Sequence, residues 1–191
     1  VAMGLESLDA NTTGNSNTGI GTSSLSANTT GSQNVGLGMG TLAVNTTASN
    51  NTAIGYFALV ANTTGAANTS VGYGALHDNT TGASNVAIGH EAMQNTTTAS
   101  NNVAIGVDAL YANITGAGNV AIGNLALDTS TAISNTISIG KGSLRSNTTG
   151  VSNTAIGHEA LGLNTTGGEN VAIGYAALDA NTTADNNTAV G

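Results

Sequence analysis

Glycine recurs every 17 residues from Gly4 to Gly191, through Gly21, Gly38, Gly55, Gly72, Gly89, Gly106, Gly123, Gly140, Gly157 and Gly174, without an insertion or deletion. A strict period of this kind is the signature of a solenoid, whose turns must each return to the same place. The 191 residues divide into eleven consecutive 17-residue units and the first four residues of a twelfth. Positions within a unit are numbered here from 1 to 17, so that Val1, Val86 and Val171 stand at position 1 and the recurring glycine at position 4. The pattern predicts one continuous array over residues 1–191, with no linker. Because solenoids need polar caps and the repeat runs to both ends, the chain reads as a window from a longer protein or filament.

Within a unit, position 1 is β-branched, position 2 small and position 3 aliphatic, as at Ile54, Val71, Ile105, Ile122 and Ile173. This alternation predicts a short strand with one face buried, ended by the glycine turn. The aliphatics at positions 1, 3 and 8 are the expected core. Part of positions 1 to 4 is expected to face partner chains, with the small position 2 as the candidate contact. Positions 5 and 6 vary freely and belong on the surface. Position 7 is Ala, Ser or Thr and position 8 is Leu or, once, Met93, which predicts a second short strand with one inward aliphatic.

Positions 11 to 14 are mostly Asn-Thr-Thr-Gly or Asn-Thr-Thr-Ala, and position 17 is Asn except at Thr136. Asn and Gly tolerate left-handed backbone, and stacked Asn side chains bond one another along an array. Three isolated aliphatics per unit make no helical stripe, so a helix is excluded. The Gly- and Asn-rich composition leans towards disorder, but invariant spacing opposes it.

The expected fold class is therefore all-β: a β-solenoid of eleven coils with 17 residues per coil, rising about 4.8 Å each and spanning roughly 53 Å. Ile54 should lie beside Val71, and Leu59 beside Leu76. Unit 120–136 should be the least regular, because Ser130-Thr131-Ala132-Ile133 replaces Asn-Thr-Thr-Gly and Thr136 replaces Asn. Asp128 and Arg145 share position 9 in adjacent coils and should form a surface ion pair worth at most ~1 kcal/mol.

Charged residues make up only 6% of the chain. Stacking explains this, since an acid at one position would lie over its counterpart in the next coil. The net charge of −8 speaks against nucleic acid or an anionic membrane as partner. Absence of cysteine excludes disulfides and cysteine-based metal sites. No apolar run approaches the ~20 residues of a membrane span, and no signal peptide is visible.

The strand Asn85-Val86-Ala87-Ile88-Gly89, with Asn119–Gly123 and Asn170–Gly174, resembles the repeated core of the head domain of YadA-like trimeric autotransporter adhesins. The longer phrase carried by residues 147–161 is similar to repeats of phage tail fibres and related surface fibres. The resemblance covers all 191 residues. It implies a left-handed parallel β-roll packed side by side as a homotrimer, an extracellular, cell-surface or virion location, and a spacing or adhesive role towards a host-surface glycan or protein. The strict period departs from the shorter, less regular adhesin repeats, and no neck, stalk, anchor or chaperone segment lies within these residues.

Position 5 holds Tyr56, Tyr73 and His90 in consecutive coils, then His158 and Tyr175. Such a column is a candidate glycan-contact ladder, or a stack that steadies the turn. Glu91 and Asp108, at position 6 of adjacent coils, are candidates to hold a cation such as Ca²⁺, or acids that fan into solvent. The three histidines share no metal-like spacing, and neither a metal nor a cofactor is expected. Thr-Thr columns bring in ice binding as the alternative function. The Asn-x-Thr triplets match glycosylation acceptors, but the repeat itself accounts for them. No nucleophile–base constellation, phosphate loop or paired carboxylates in a pocket can be drawn, so the chain reads as non-enzymatic.

Overall fold

The computed structural model describes all 191 residues. The chain is a β-solenoid: twelve short parallel strands form one sheet, stacked in sequence order, and there is no helix. The first strand is Ala2–Met3; the others have three residues each, from Thr18–Ile20 to Thr188–Val190. Successive strands pair at an offset of 17 residues, with Ile54 opposite Val71 and Ile88 opposite Ile105. The leucine column keeps the same register. Leu59 donates its N–H to Ala75 O at 3.0 Å, Leu76 donates to Ala92 O at 3.0 Å, and both side chains are fully buried.

The strand faces are the reverse of the expectation. Position 2 points inward, and Ala53, Ala87, Ala104, Ala121, Ala155 and Ala172 have no exposure at all. Positions 1 and 3 point outward: Leu37 is 42% exposed, and Ile88 and Ile173 are 38% exposed. The cause is a narrow interior. A Cβ added at Gly36 would come within 2.5 Å of Ser24 Oγ and 2.8 Å of Thr41 Oγ1. Only Gly, Ala or Ser fits at position 2, so the bulky residues on either side must face out. The interior is completed by the small residues of position 7 and the leucines of position 8.

The second strand does not form. Positions 5 to 10 are turn in every coil but 120–136, and the residue at position 8 is left-handed in every coil, with φ between 49° and 56°. Positions 6 and 16 are left-handed in every coil too, although Phe57, Glu91 and Glu169 are among their residues. These conformations cost about 1 kcal/mol or more each for an L-residue. They persist because each coil's backbone is bonded to the coils on both sides. The expectation that Asn-Thr-Thr-Gly supplies the left-handed turn is therefore wrong. Gly65, at position 14, has no positive φ, and Ala48, Ala99 and Ala184 stand at the same position in other coils.

Two buried asparagine columns flank this glycine. At position 17, Asn68 accepts the Asn85 N–H on Oδ1 at 3.0 Å and donates Nδ2 to Gly82 O at 2.8 Å. At position 11, Asn62 donates Nδ2 to Asn45 Oδ1 at 2.9 Å and to Gly65 O at 3.0 Å. Each ladder therefore satisfies backbone groups that the narrow coil removes from water. Interruptions leave orphans. Thr96 has no amide to offer, and the buried Asn79 Oδ1 below it has no partner. Thr136 cannot accept as Asn does, and the Asn153 N–H above it donates to no protein group. Thr136→Asn should restore both ladder bonds and stabilise the chain by about 1 kcal/mol, seen as a rise in thermal midpoint. An unchanged or lower midpoint would show that the ladder is not what holds this face.

Unit 120–136 is the least regular coil, as its sequence predicts. The N–H groups of Thr129, Ser130, Thr131 and Ala132 make none of the bonds that Ala112, Asn113, Ile114 and Thr115 make one coil earlier. Hydroxyls replace them: Thr129 Oγ1 donates to Arg145 O at 2.7 Å, and Ser130 Oγ donates to Asn147 O. The turn of the standard coil stops two residues short, before Asp128.

Candidate functional site

The outward columns of positions 1 and 3 run the length of the sheet and expose aliphatic side chains along it. Val35, Leu37, Ile88, Ile105, Ile137 and Ile173 are each between 36% and 42% exposed along one face of the sheet. The strands cover a stripe of roughly 500 Å²; within it position 3 is aliphatic in every coil, while position 1 is Val or Ile in seven coils and threonine at Thr18, Thr52, Thr69, Thr154 and Thr188. A continuous exposed column of aliphatics marks a contact site. Sequence reasoning placed a contact in positions 1 to 4 but chose position 2, which is inside.

Position 5 brings its aromatics together. Tyr56 and Tyr73 stack at 5.5 Å with planes 8° apart, and Tyr73 and His90 stack at 5.0 Å and 11°. His158 and Tyr175 form a separate stack at 5.4 Å and 8°. Phe57 extends the first group, 4.2 Å from Tyr56, with its ring in the space left by Gly40. The stacking sets ring against ring along the column. Outward, the column offers ring edges, phenol hydroxyls and imidazole nitrogens.

Glu91 and Asp108 also meet, and His90 joins them. One ligand atom from each lies within 4.8 Å of the others. His90 Nδ1 is 3.9 Å from Glu91 Oε2, an arrangement repeated at 3.9 Å by His158 and Glu159. Sequence reasoning paired the acids but left His90 to the aromatic column, although positions 5 and 6 are adjacent. Three donors on an open face are a poor set for Ca²⁺, which takes six to eight oxygens.

The expected ion pair between Asp128 and Arg145 does not form; no ion pair within 4.0 Å involves either residue. The coil leaves its standard path at Asp128, so the shared repeat position no longer sets the side chains together. Asp128 Oδ1 is buried without a partner. Burial pushes this carboxyl above its ordinary range, against the pull of Arg145 and a backbone hydrogen bond and with a small push from Asp108. A raised folded value means that ionisation opposes folding. Asp128 thus favours the folded chain below the ordinary carboxylate value, and this contribution is lost as pH rises through its folded value. Asp128→Asn should flatten that part of the pH–stability curve. At pH 7 it should stabilise by no more than about 0.5 kcal/mol, because the carboxyl is only partly buried and water screens part of its charge. Chemical denaturation at two pH values checks it; a loss of stability at pH 7 would contradict it.

No helix of the chain is long and apolar enough to cross a membrane. Compared with models of protein families, curated proteins and solved structures, the chain matches none.

Proposed function

We propose that this chain is a structural and adhesive segment of an extracellular fibre, of the kind found in phage tails or on bacterial surfaces, in which three copies lie side by side. Its role is non-catalytic: it spaces and presents contact surfaces. The observation that carries the reading is the outward aliphatic column of position 3, flanked by the Val, Ile and Thr of position 1 along the sheet. In a closed three-fold set the position-1 column of one copy packs on the position-3 column of the next, a head-to-tail contact that terminates at three. All copies run parallel, so the coil spacing matches at every level. The likeness of Asn85–Gly89 and its counterparts to adhesin head repeats points the same way. Within such a fibre, the edges of Tyr56, Tyr73, His90, His158 and Tyr175 remain available to a host-surface glycan or protein.

Ile105→Asp tests the reading. It should dissociate the assembly to single chains while the circular dichroism spectrum keeps its β form, whereas Ile105→Thr, an ordinary outward residue, should leave it assembled. An Ile105→Asp chain that stays assembled would remove this face from the contact.

Ice binding is the second reading. Its support is the exposed threonine column of position 13, as at Thr13, Thr30, Thr47 and Thr64. Against it, the position-12 hydroxyls are spent on the backbone: Thr63 Oγ1 donates to Thr80 O and Thr80 Oγ1 to Thr97 O, both at 3.0 Å. Thermal hysteresis in solution would favour it, and its absence removes it.

A further inference from the structure

The chain has only two fixed cations, Lys141 and Arg145, and both lie on one coil. Neither makes an ion pair within 4.0 Å, and the Arg145 guanidinium makes no hydrogen bond within the protein. In a chain of net charge −8 they are the only permanently charged side chains that attract an anionic group.

Arg145 borders an open recess of about 410 Å³. Its origin is two absent side chains. Gly162 stands at position 9 between Arg145 one coil before and Asp179 one coil after, so a cation and an anion flank a gap in one column. Their Cα atoms are two coil spacings apart, about 9.6 Å. Gly142, at position 6 directly before Glu159, opens the side of the gap, and Glu159 lines it there. Ser146 adds a hydroxyl, and Leu163 is the single apolar residue of the wall.

We propose that this recess binds a basic α-amino acid such as L-lysine. Three charges converge on it: Arg145 positive, Glu159 and Asp179 negative. A basic amino acid carries the complementary set of one carboxylate and two cations. The planar guanidinium takes a carboxylate through two parallel N–H bonds. Glu159 and Asp179 then receive the α-ammonium and the side-chain cation. The volume lies within the usual range for small-ligand sites. The site does not depend on the fibre reading, since it lies on the turn face away from the sheet columns.

Saturation-transfer NMR on the full chain tests the proposal with four probes. L-lysine should give a saturable signal. Cadaverine, which lacks the carboxylate, Nα-acetyl-L-lysine, which lacks the α-ammonium, and L-norleucine, which lacks the side-chain cation, should each bind about tenfold or more weaker. Arg145→Gln should lower L-lysine affinity by a similar factor. Gly142→Leu should fill the recess and abolish the signal. It should fold, because position 6 carries a side chain in eight of the eleven coils, including Leu125 one coil before, and an added Cβ meets Glu159 Cγ at an ordinary 3.6 Å. No saturable L-lysine signal would overturn the proposal. So would cadaverine binding equal to L-lysine, or an undiminished signal in folded Gly142→Leu.

Discussion

Gly72→Ala should destabilise the chain by at least about 3 kcal/mol and, in a fold with few kcal/mol to spare per coil, unwind the array around it. Gly72 has φ +131°, a region closed to L-residues in practice. An added Cβ would lie 2.3 Å from Gly89 O and 2.7 Å from Gly89 C in the next coil, and these are backbone atoms that cannot rotate away. Relief requires parting two coils, which breaks the strand pairing on which both depend. The matched control is Gly65→Ala. Its Cβ would lie equally close to a carbonyl, at 2.2 Å from Gly82 O, but its φ is not positive. Ala48, Ala99 and Ala184 already occupy that position in other coils. Gly65→Ala should therefore cost under about 1 kcal/mol. Urea midpoints of the two variants decide the matter; equal losses would mean that steric approach alone, and not the backbone conformation, makes position 4 glycine.

The second large effect belongs to the inner asparagines. Asn68→Ala removes the acceptor of the Asn85 N–H and the donor to Gly82 O, and also the 3.2 Å contact from Asn85 Nδ2. Asn68 is fully buried, so water does not replace these bonds without opening the coil. Leaving buried polar groups unpaired costs about 1–3 kcal/mol each, which puts the total near 3–4 kcal/mol. An exposed threonine in the same unit, Thr64→Ala, should cost under about 0.5 kcal/mol. If Asn68→Ala unfolds at the same denaturant concentration as Thr64→Ala, the ladder contributes no net stability and the period of asparagine needs another cause.

Coil number, strand register and the placement of the leucine column were all legible in the sequence, because a strict period leaves only one way to superpose the units. Ile54 opposite Val71 follows from counting. The sense of the strand was not legible from alternation, which says that two faces differ and not which one is inside. The distinguishing signal was the strictness of position 2: only Gly, Ala and Ser occur there, while position 3 admits Met, Ile, Leu and Val. A narrow interior limits size, so the more restricted position is the inner one. The left-handed residues at position 8 left no compositional trace, since leucine shows no preference for that conformation and is held there by its neighbours; positions 6 and 16 left a partial one, in Gly40, Gly74 and Gly142 and in Asn50, Asn101, Gly118, Asn135 and Asn186, blurred by residues such as Phe57 and Glu169. The position-5 stacks were legible because periodicity puts like positions above one another. The failed pairing of Asp128 with Arg145 marks the limit of that reasoning: register carries a side chain to its neighbour only while both coils follow the same path. The recess beside Arg145 arises from side chains that are missing, and no motif search looks for those.

The central claim is that the outward aliphatic columns are covered by other copies of the chain, and the mass of the protein in solution tests it most directly. One chain weighs 18.5 kDa. Sedimentation equilibrium at micromolar concentration should return three times that mass, with a single species across a tenfold dilution, as a closed three-fold assembly requires. A stable species of 18.5 kDa, with β structure intact and the columns of Ile88 and Ile105 open to water, would contradict the account.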